Sequence, residues 1–387
     1  MAAWKKKKYS NSWIPVSTPV IGPKEIRAVE QCLRTGWISS GGKYVEAFEH
    51  RWARFCGCRY GVAVTSGTAA LQLGTVALRL RPGDEVILPA FTNISCVLAI
   101  LYNQLIPVLV DSDPETGCID PSLIEERITP RTRAIMPVHV YGHPADMDPI
   151  LNLAEKNNLA VIEDAAEAHG AEYFTRRNKI GGQWKRCGSF GAVSCFSFYA
   201  NKPVTTGEGG MAVTNDFKRA RATRSLVDMG FQKRRFSHEE LGFNFRMTNL
   251  QAAMGFEQTN RISRIIERKK WIGRTYHLAL EGVCGIRRPV CKPWARSIYW
   301  MYGIVIEKKG VDASGLAKKL AASGIETRPF FLGMHEQPVF RKQKLFSGET
   351  YPVAERLARY GLYLPSGLAM TKSQIHRVCC AVRKALS

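Results

Sequence analysis

The apolar positions of this chain change their period along its length. Between about residues 61 and 215, short β-branched and aliphatic runs alternate with stretches of helical spacing, the pattern of a largely parallel α/β sheet. The runs at 61–64, 85–88, 107–110, 134–137, 160–163 and 193–198 predict strands, because each is too short for a helix and is bounded by turn residues. Residues 69–80 and 147–158 carry the 3.6-residue period and predict helices between them. Beyond Asn244, residues 248–270 read as one long helix leading to a second unit. That unit offers a strand near 301–306 and helices near 313–323, 353–360 and 372–386. Two domains are expected, 1–255 and 256–387, in keeping with a 387-residue chain that exceeds the usual size of one core.

Sheets of this kind bind ligands beyond the carboxyl ends of their strands. Four polar segments follow predicted strands: Thr65-Ser66-Gly67-Thr68, residues 89–93, Asp164 with Glu167, and residues 197–202. Lys202 follows an apolar strand and precedes a glycine-rich turn; if desolvated there it can form a Schiff base, and otherwise it is a surface lysine. Asp164 ends Ala-Val-Ile-Glu-Asp, where a buried carboxylate can keep a pyridine nitrogen protonated or can simply cap a helix. Ser66, Gly67 and Thr68 open a helix, so they can receive a phosphate at its N-terminus or serve as ordinary capping residues.

Composition narrows the partners. Apolar residues make up 45% and the formal charge is +22. Such a charge attracts polyanions, but the basic clusters at 5–8, 233–235 and 268–270 are short, and no aromatic-interleaved nucleic-acid module accompanies them. A solvated basic surface is expected, with no nucleic-acid partner. The eleven cysteines show no paired Cys-x-x-Cys elements and read as reduced thiols, with Cys32, Cys96 and Cys195 as small hydrophobes; no metal site is implied. No window approaches a membrane span and no signal peptide is evident, so a cytoplasmic location away from membranes is expected.

A phosphate cradle, a strand-end Asp and a strand-end Lys, in this order, are what pyridoxal 5'-phosphate (PLP) requires. With them the chain resembles the DegT/DnrJ/EryC1/StrS family of sugar aminotransferases, from about Ile14 to the C-terminus. The matching segments include Gly-Trp-Ile-Ser-Ser-Gly at Gly36, Gly-Asp-Glu-Val-Ile at Gly83, His-Val-Tyr-Gly at His139 and Glu-Asp-Ala-Ala-Glu at Glu163. Others are Gly-Phe-Asn-Phe-Arg-Met at Gly242 and Gly-Ile-Glu-Thr-Arg-Pro at Gly324. The resemblance implies the fold type I architecture: a mixed, mostly parallel seven-stranded sheet between helices, with a smaller α+β C-terminal domain.

It also implies roles. Lys202 would be the catalytic lysine that holds PLP, and Asp164 the partner of its ring nitrogen. Ser66, Gly67, Thr68 and Ser197 would hold the phosphate, Glu167 would lie beside the 3-hydroxyl, and Asn244 would reach the phosphate of a neighbouring subunit, implying a homodimer with shared sites. Arg328, the cluster at 233–235 and His335 are candidate contacts for the substrate, while His139 and Tyr141 are assigned no catalytic role. The implied reaction moves an amino group from L-glutamate to a nucleotide-linked keto-sugar, with a GDP-linked 4-keto sugar expected. The family's dehydratases place histidine at the lysine position, so Lys202 argues against that chemistry. Retention of Lys202, Asp164, Ser197 and Asn244 together argues against a non-catalytic relative. One departure is Asn93, where the family carries an aromatic residue that stacks on the cofactor; Phe91 is the candidate substitute.

Overall fold

A computed structural model describes residues 13–177, 180–231 and 236–387; the basic clusters at 5–8 and 233–235 lie outside the described residues. Two amphipathic helices, α1 (Pro23–Thr35) and α2 (Lys43–Cys56), precede strand β1 (Tyr60–Val64). The chain then alternates through α3 (Gly67–Ala77), β2 (Glu85–Pro89), α4 (Ile94–Leu101), β3 (Ile106–Val110), β4 (Thr132–Ile135), α5 (Met147–Lys156) and β5 (Ala160–Asp164). A hairpin of β6 (Glu172–Thr175) and β7 (Gln183–Arg186) leads to β8 (Val193–Ser197), β9 (Gly210–Thr214) and α6 (Phe217–Val227).

Seven strands form the main sheet in the order β1-β9-β8-β5-β4-β2-β3. It is parallel except at β9, which runs antiparallel to both β1 and β8. β1 and β8 therefore share one direction, and the carboxyl ends of every strand but β9 emerge at one edge. Main-sheet strands other than β3 and β4 are nearly fully buried, as strands covered on both faces must be, which is why they read as largely apolar runs.

The long helix expected over 248–270 is two helices, α7 (Asn249–Asn260) and α8 (Ile262–Ala279). Arg261 leaves helical geometry between them because its guanidinium is drawn to the buried carboxylate of Glu25 and to the carbonyl of Val20. The break lets α7 pack on α1 and α2 while α8 packs on the last helix of the chain. The division expected at residue 255 falls inside α7.

The C-terminal portion carries short strands β10 (Ile286–Arg287) and β11 (Ala295–Arg296), then β12 (Tyr302–Ile306), α9 (Ala313–Ala322), β13 (Arg328–Pro329), α10 (Pro338–Lys342), α11 (Pro352–Tyr360), β14 (Gly361–Leu364) and α12 (Lys372–Leu386). Strands β10, β12, β14 and β13 form a second sheet over its own apolar cluster, which includes Ile272, Tyr276, Ile304, Leu316 and Val378. Among the described residues no helix is long and apolar enough to cross a membrane.

Candidate active site

The four polar segments predicted to converge do so at the shared carboxyl edge. Asp164 ends β5 and is buried; its Oδ1 accepts the Ala166 amide at 2.9 Å and its Oδ2 accepts the Cys96 thiol at 3.1 Å. No α-helix follows Asp164, so the helix-capping alternative does not hold; the Ala166 bond closes a local turn. Burial pushes the Asp164 carboxyl up, against the pull of the Ala166 amide, the Cys96 thiol and the Lys202 charge.

Lys202 lies in the turn after β8 and is not a surface lysine: its side chain is 9% exposed, with Nζ 3.5 Å from Glu167 Oε1. The same Nζ stands 3.6 Å from the ring centre of Trp300, which arrives from the C-terminal portion. Trp300 is fixed at both ends. Its indole N–H donates to Asn201 O at 2.9 Å, and its carbonyl accepts from buried Lys269 Nζ at 2.7 Å. Burial lowers the Lys202 pKa, opposed by the carboxylates of Glu167 and Asp164. Glu167 in turn accepts the Tyr141 amide at 2.8 Å, and burial drives its pKa up to about 7 although Lys202 draws it down.

The first turn of α3 supplies the anion cradle. Ser66 is its N-cap, accepting the Ala69 amide at 3.1 Å, so the capping reading holds for that side chain. The Gly67 and Thr68 amides, at the first positions of α3, lack intrahelical acceptors, as first-turn amides do. The Thr68 hydroxyl lies 2.8 Å from that of Ser95. A Cβ on Gly67 would stand 2.6 Å from Ser197 Cβ, so only glycine lets α3 come this close to the end of β8. Amides and hydroxyls for a phosphate, a buried carboxylate for a ring nitrogen and a desolvated lysine for an aldehyde form a donor set that fits PLP.

Other predicted residues lie elsewhere. Arg328 is exposed at the rim, paired with Glu326 at 2.7 Å and in register with Tyr363, whose ring packs against Tyr141. His335 is buried, with Nε2 3.1 Å from Glu355 Oε1 and its ring against Tyr351. Asn244 is exposed, bridged through its backbone to Asp228. Asn93 caps α4 by accepting the Ser95 amide at 3.0 Å, and Phe91 is buried among Tyr141, Phe330 and Phe331. Cys96 is not a bystander hydrophobe, since its thiol binds Asp164.

His139 is a buried structural residue. Its Nδ1 accepts the Ala145 amide at 2.9 Å, so Nε2 carries the proton and donates to Glu163 at 2.8 Å. Burial pushes the Glu163 carboxyl up, but the bonds from His139, Gly188 and Ser194 outweigh it and hold its pKa below the usual value. His139, Glu163 and Cys187 lie close enough to suggest a metal site, yet both ring nitrogens of His139 are engaged.

Sequence reasoning assigned no role to Trp300, Tyr141 or His169. Buried His169 accepts the Val204 amide at Nδ1 and packs edge-on to Trp52 and Phe196 behind the Lys202 turn. Only the His-Gly following the Glu163 motif hinted at it.

The fold and this constellation define a PLP-dependent aminotransferase. The chain belongs to the DegT/DnrJ/EryC1/StrS aminotransferase family, which it matches over residues 19–383. It is 39% identical to the GDP-perosamine synthase of Caulobacter vibrioides, covering 96% of this chain and 98% of that protein. It is 38% identical to the GDP-perosamine synthase of Escherichia coli O157:H7, covering 97% and 99%. The S. venezuelae DesV crystal structure superposes with a TM-score of 0.85 at 35% identity, covering 93% of each chain. The enzyme is therefore a sugar aminotransferase that uses PLP.

Proposed function

We propose that the enzyme transfers an amino group from L-glutamate to C4 of GDP-4-keto-6-deoxymannose, giving GDP-perosamine. The observation that carries the sugar is the near full-length similarity to two GDP-perosamine synthases. Bound PLP supplies an electron sink for the carbanion formed at the donor's Cα.

The residues of this chain do the rest. Lys202 would hold the cofactor covalently and, once the amino donor has taken its place, would serve as the base that moves a proton from the donor's Cα. Its burial favours the neutral amine that such a base requires. Asp164 keeps the ring nitrogen protonated. Gly67, Thr68 and Ser197 grip the phosphate, with Ser66 capping the helix that presents them. Glu167, 3.5 Å from the Lys202 amine, would lie beside the 3-hydroxyl, and burial raises its carboxyl to about 7. The face of Trp300 limits where the freed amine can swing.

Arg328 at the rim and His335 behind it are proposed to orient the sugar nucleotide, Arg328 by charge and His335 through the turn it anchors on Glu355. Exposed Asn244, Trp37 and Ile38 support a homodimer in which each subunit completes the other's site. The test is to incubate purified enzyme with glutamate and a panel of GDP- and dTDP-linked 3- and 4-keto sugars, and to identify aminated products by mass spectrometry. Amination of the GDP-linked 4-keto sugar is expected to dominate; preference for a dTDP-linked sugar would overturn the substrate reading and leave the aminotransferase intact.

A further inference from the structure

Cys96 occupies a position that packing alone does not explain. It is the third residue of α4, fully buried, and its sulphur touches two polar partners. The thiol donates to Asp164 Oδ2 at 3.1 Å, and the Thr92 hydroxyl lies 3.2 Å from the same sulphur. A thiol has one proton; with that proton given to Asp164, the Thr92 hydroxyl must donate to sulphur. A directed relay therefore runs from fully buried Thr92 through Cys96 to the end of β5.

Ala166 fills one direction on Oδ1 and Cys96 one on Oδ2, so each carboxylate oxygen retains a lone pair for a further donor. Besides Cys96, the titratable groups facing this carboxylate are Lys202, Glu167, His139 and Cys195. Without the thiol, Oδ2 would have no protein donor among those seen here, and the side chain would be free to turn about its last torsion. A buried carboxylate that loses a donor also binds a proton more readily, and a protonated Asp cannot hold the proton of a ring nitrogen. A weak thiol donor orients the group while leaving more of its negative charge for the ring than a hydroxyl would.

We infer that Cys96 is a positioning residue for the reaction, fixing the Asp164 carboxylate so that it faces the ring nitrogen of bound PLP. The inference rests on the reading of Asp164 as the partner of that nitrogen. The experiment uses the PLP-loaded enzyme and two matched pairs, Cys96→Ala with Cys96→Ser and Cys96→Val with Cys96→Thr, each pair differing mainly in the presence of a donor. The pH midpoint of the cofactor's visible absorbance band is measured beside kcat and KM for the amino donor.

A ring nitrogen that loses its proton takes positive charge away from the chromophore, so the midpoint should rise. Cys96→Ala and Cys96→Val are expected to raise it by about half a unit or more. They should lower kcat by roughly tenfold, the scale of losing an outer hydrogen-bond partner, with KM within about twofold. Cys96→Ser and Cys96→Thr should return both towards wild type. If one pair fails to fold, the other carries the comparison. Asp164→Asn is run in parallel. If its midpoint moves while the Cys96 variants keep the wild-type value, or if the donor and no-donor members of a pair shift alike, the role of Cys96 is overturned. If the Asp164→Asn midpoint does not move, the parent reading of Asp164 falls, and the inference with it.

Discussion

Lys202 brings three donors into a space that offers one carboxylate oxygen at 3.5 Å and the face of an indole at 3.6 Å. Neither fully satisfies an ammonium group, which is why burial prevails and the amine becomes available for chemistry. Lys202→Ala is expected to abolish the visible cofactor band and to lower turnover by about 10⁴-fold or more, read by absorbance and steady-state kinetics. Asp164→Asn should lower kcat by about 10³-fold, because an amide cannot hold the ring nitrogen in its protonated form.

Glu167 gives a pH test in the cofactor-free protein. Its carboxyl titrates at about 7 in the folded chain, above the usual 4.5, so between those values the folded state keeps a proton that the unfolded state has released. Its contribution to stability is therefore full below about pH 4.5 and is lost as pH rises through about 7. His169 has the opposite sign: burial lowers its pKa to about 3, so its contribution is full above about 6.5 and is lost as pH falls through 3. Comparing wild type with Glu167→Gln cancels the histidine. Wild type should lose thermal stability relative to the variant as pH is raised from 5 to 8, and parallel melting curves would contradict the buried, proton-holding carboxyl.

At the scale of elements, the cradle depends on how closely α3 can approach β8. Gly67→Ala places a Cβ 2.6 Å from Ser197 Cβ, so the helix must move. Cofactor affinity should fall by about tenfold, measured by fluorescence titration, with smaller loss of melting temperature than of binding. Asp111, just after β3, ties the main sheet to the C-terminal portion: its two oxygens accept the Val353 and Ala354 amides in the first turn of α11, each at 2.9 Å. Asp111→Ala should cost about 1–2 kcal/mol in denaturant unfolding, the scale of a lost N-cap.

Elements also show where the pattern of apolar residues stops being informative. The short aliphatic runs located β1 to β5 and β8 within a residue or two; a strand buried on both faces, such as β2, must be largely apolar, whereas β4 begins with Thr132 and exposed Arg133 and its run was found two residues late. The run Ile94–Leu101 is equally apolar yet helical; eight such residues cannot be told from a strand by period, and the Asn93 cap and the neighbouring helix decide it. The break at Arg261 was invisible because it depends on Glu25, more than two hundred positions away in the chain.

Over the whole molecule, the proposed shared site makes a prediction that neither residues nor elements contain. Subunits bearing Lys202→Ala and subunits bearing Asn244→Ala, each weak alone, should recover up to about a quarter of wild-type activity when mixed one to one, since about half of the dimers are then mixed and each of those holds one intact site of two. No recovery would leave Asn244, exposed in the single chain, as a surface residue. The two candidate substrate contacts, Arg328 and His335, also belong to this scale. Both come from the C-terminal portion, so their service to a substrate depends on how that portion closes against the main sheet.

The sequence by itself determined which polar residues follow which strands. A parallel sheet with all such ends at one edge then required Thr68, Asp164, Glu167 and Lys202 to meet, and the motifs identified the family. Only the tertiary structure decided which side chains touch: Cys96 on Asp164, Trp300 over Lys202, Tyr141 on Glu167, and Asn93 and Ser66 committed to caps. The reason is physical. Strand order follows from local pattern and the rules of chain connection, whereas a contact near 3 Å between distant residues depends on how whole helices and sheets pack, which no short stretch of sequence encodes.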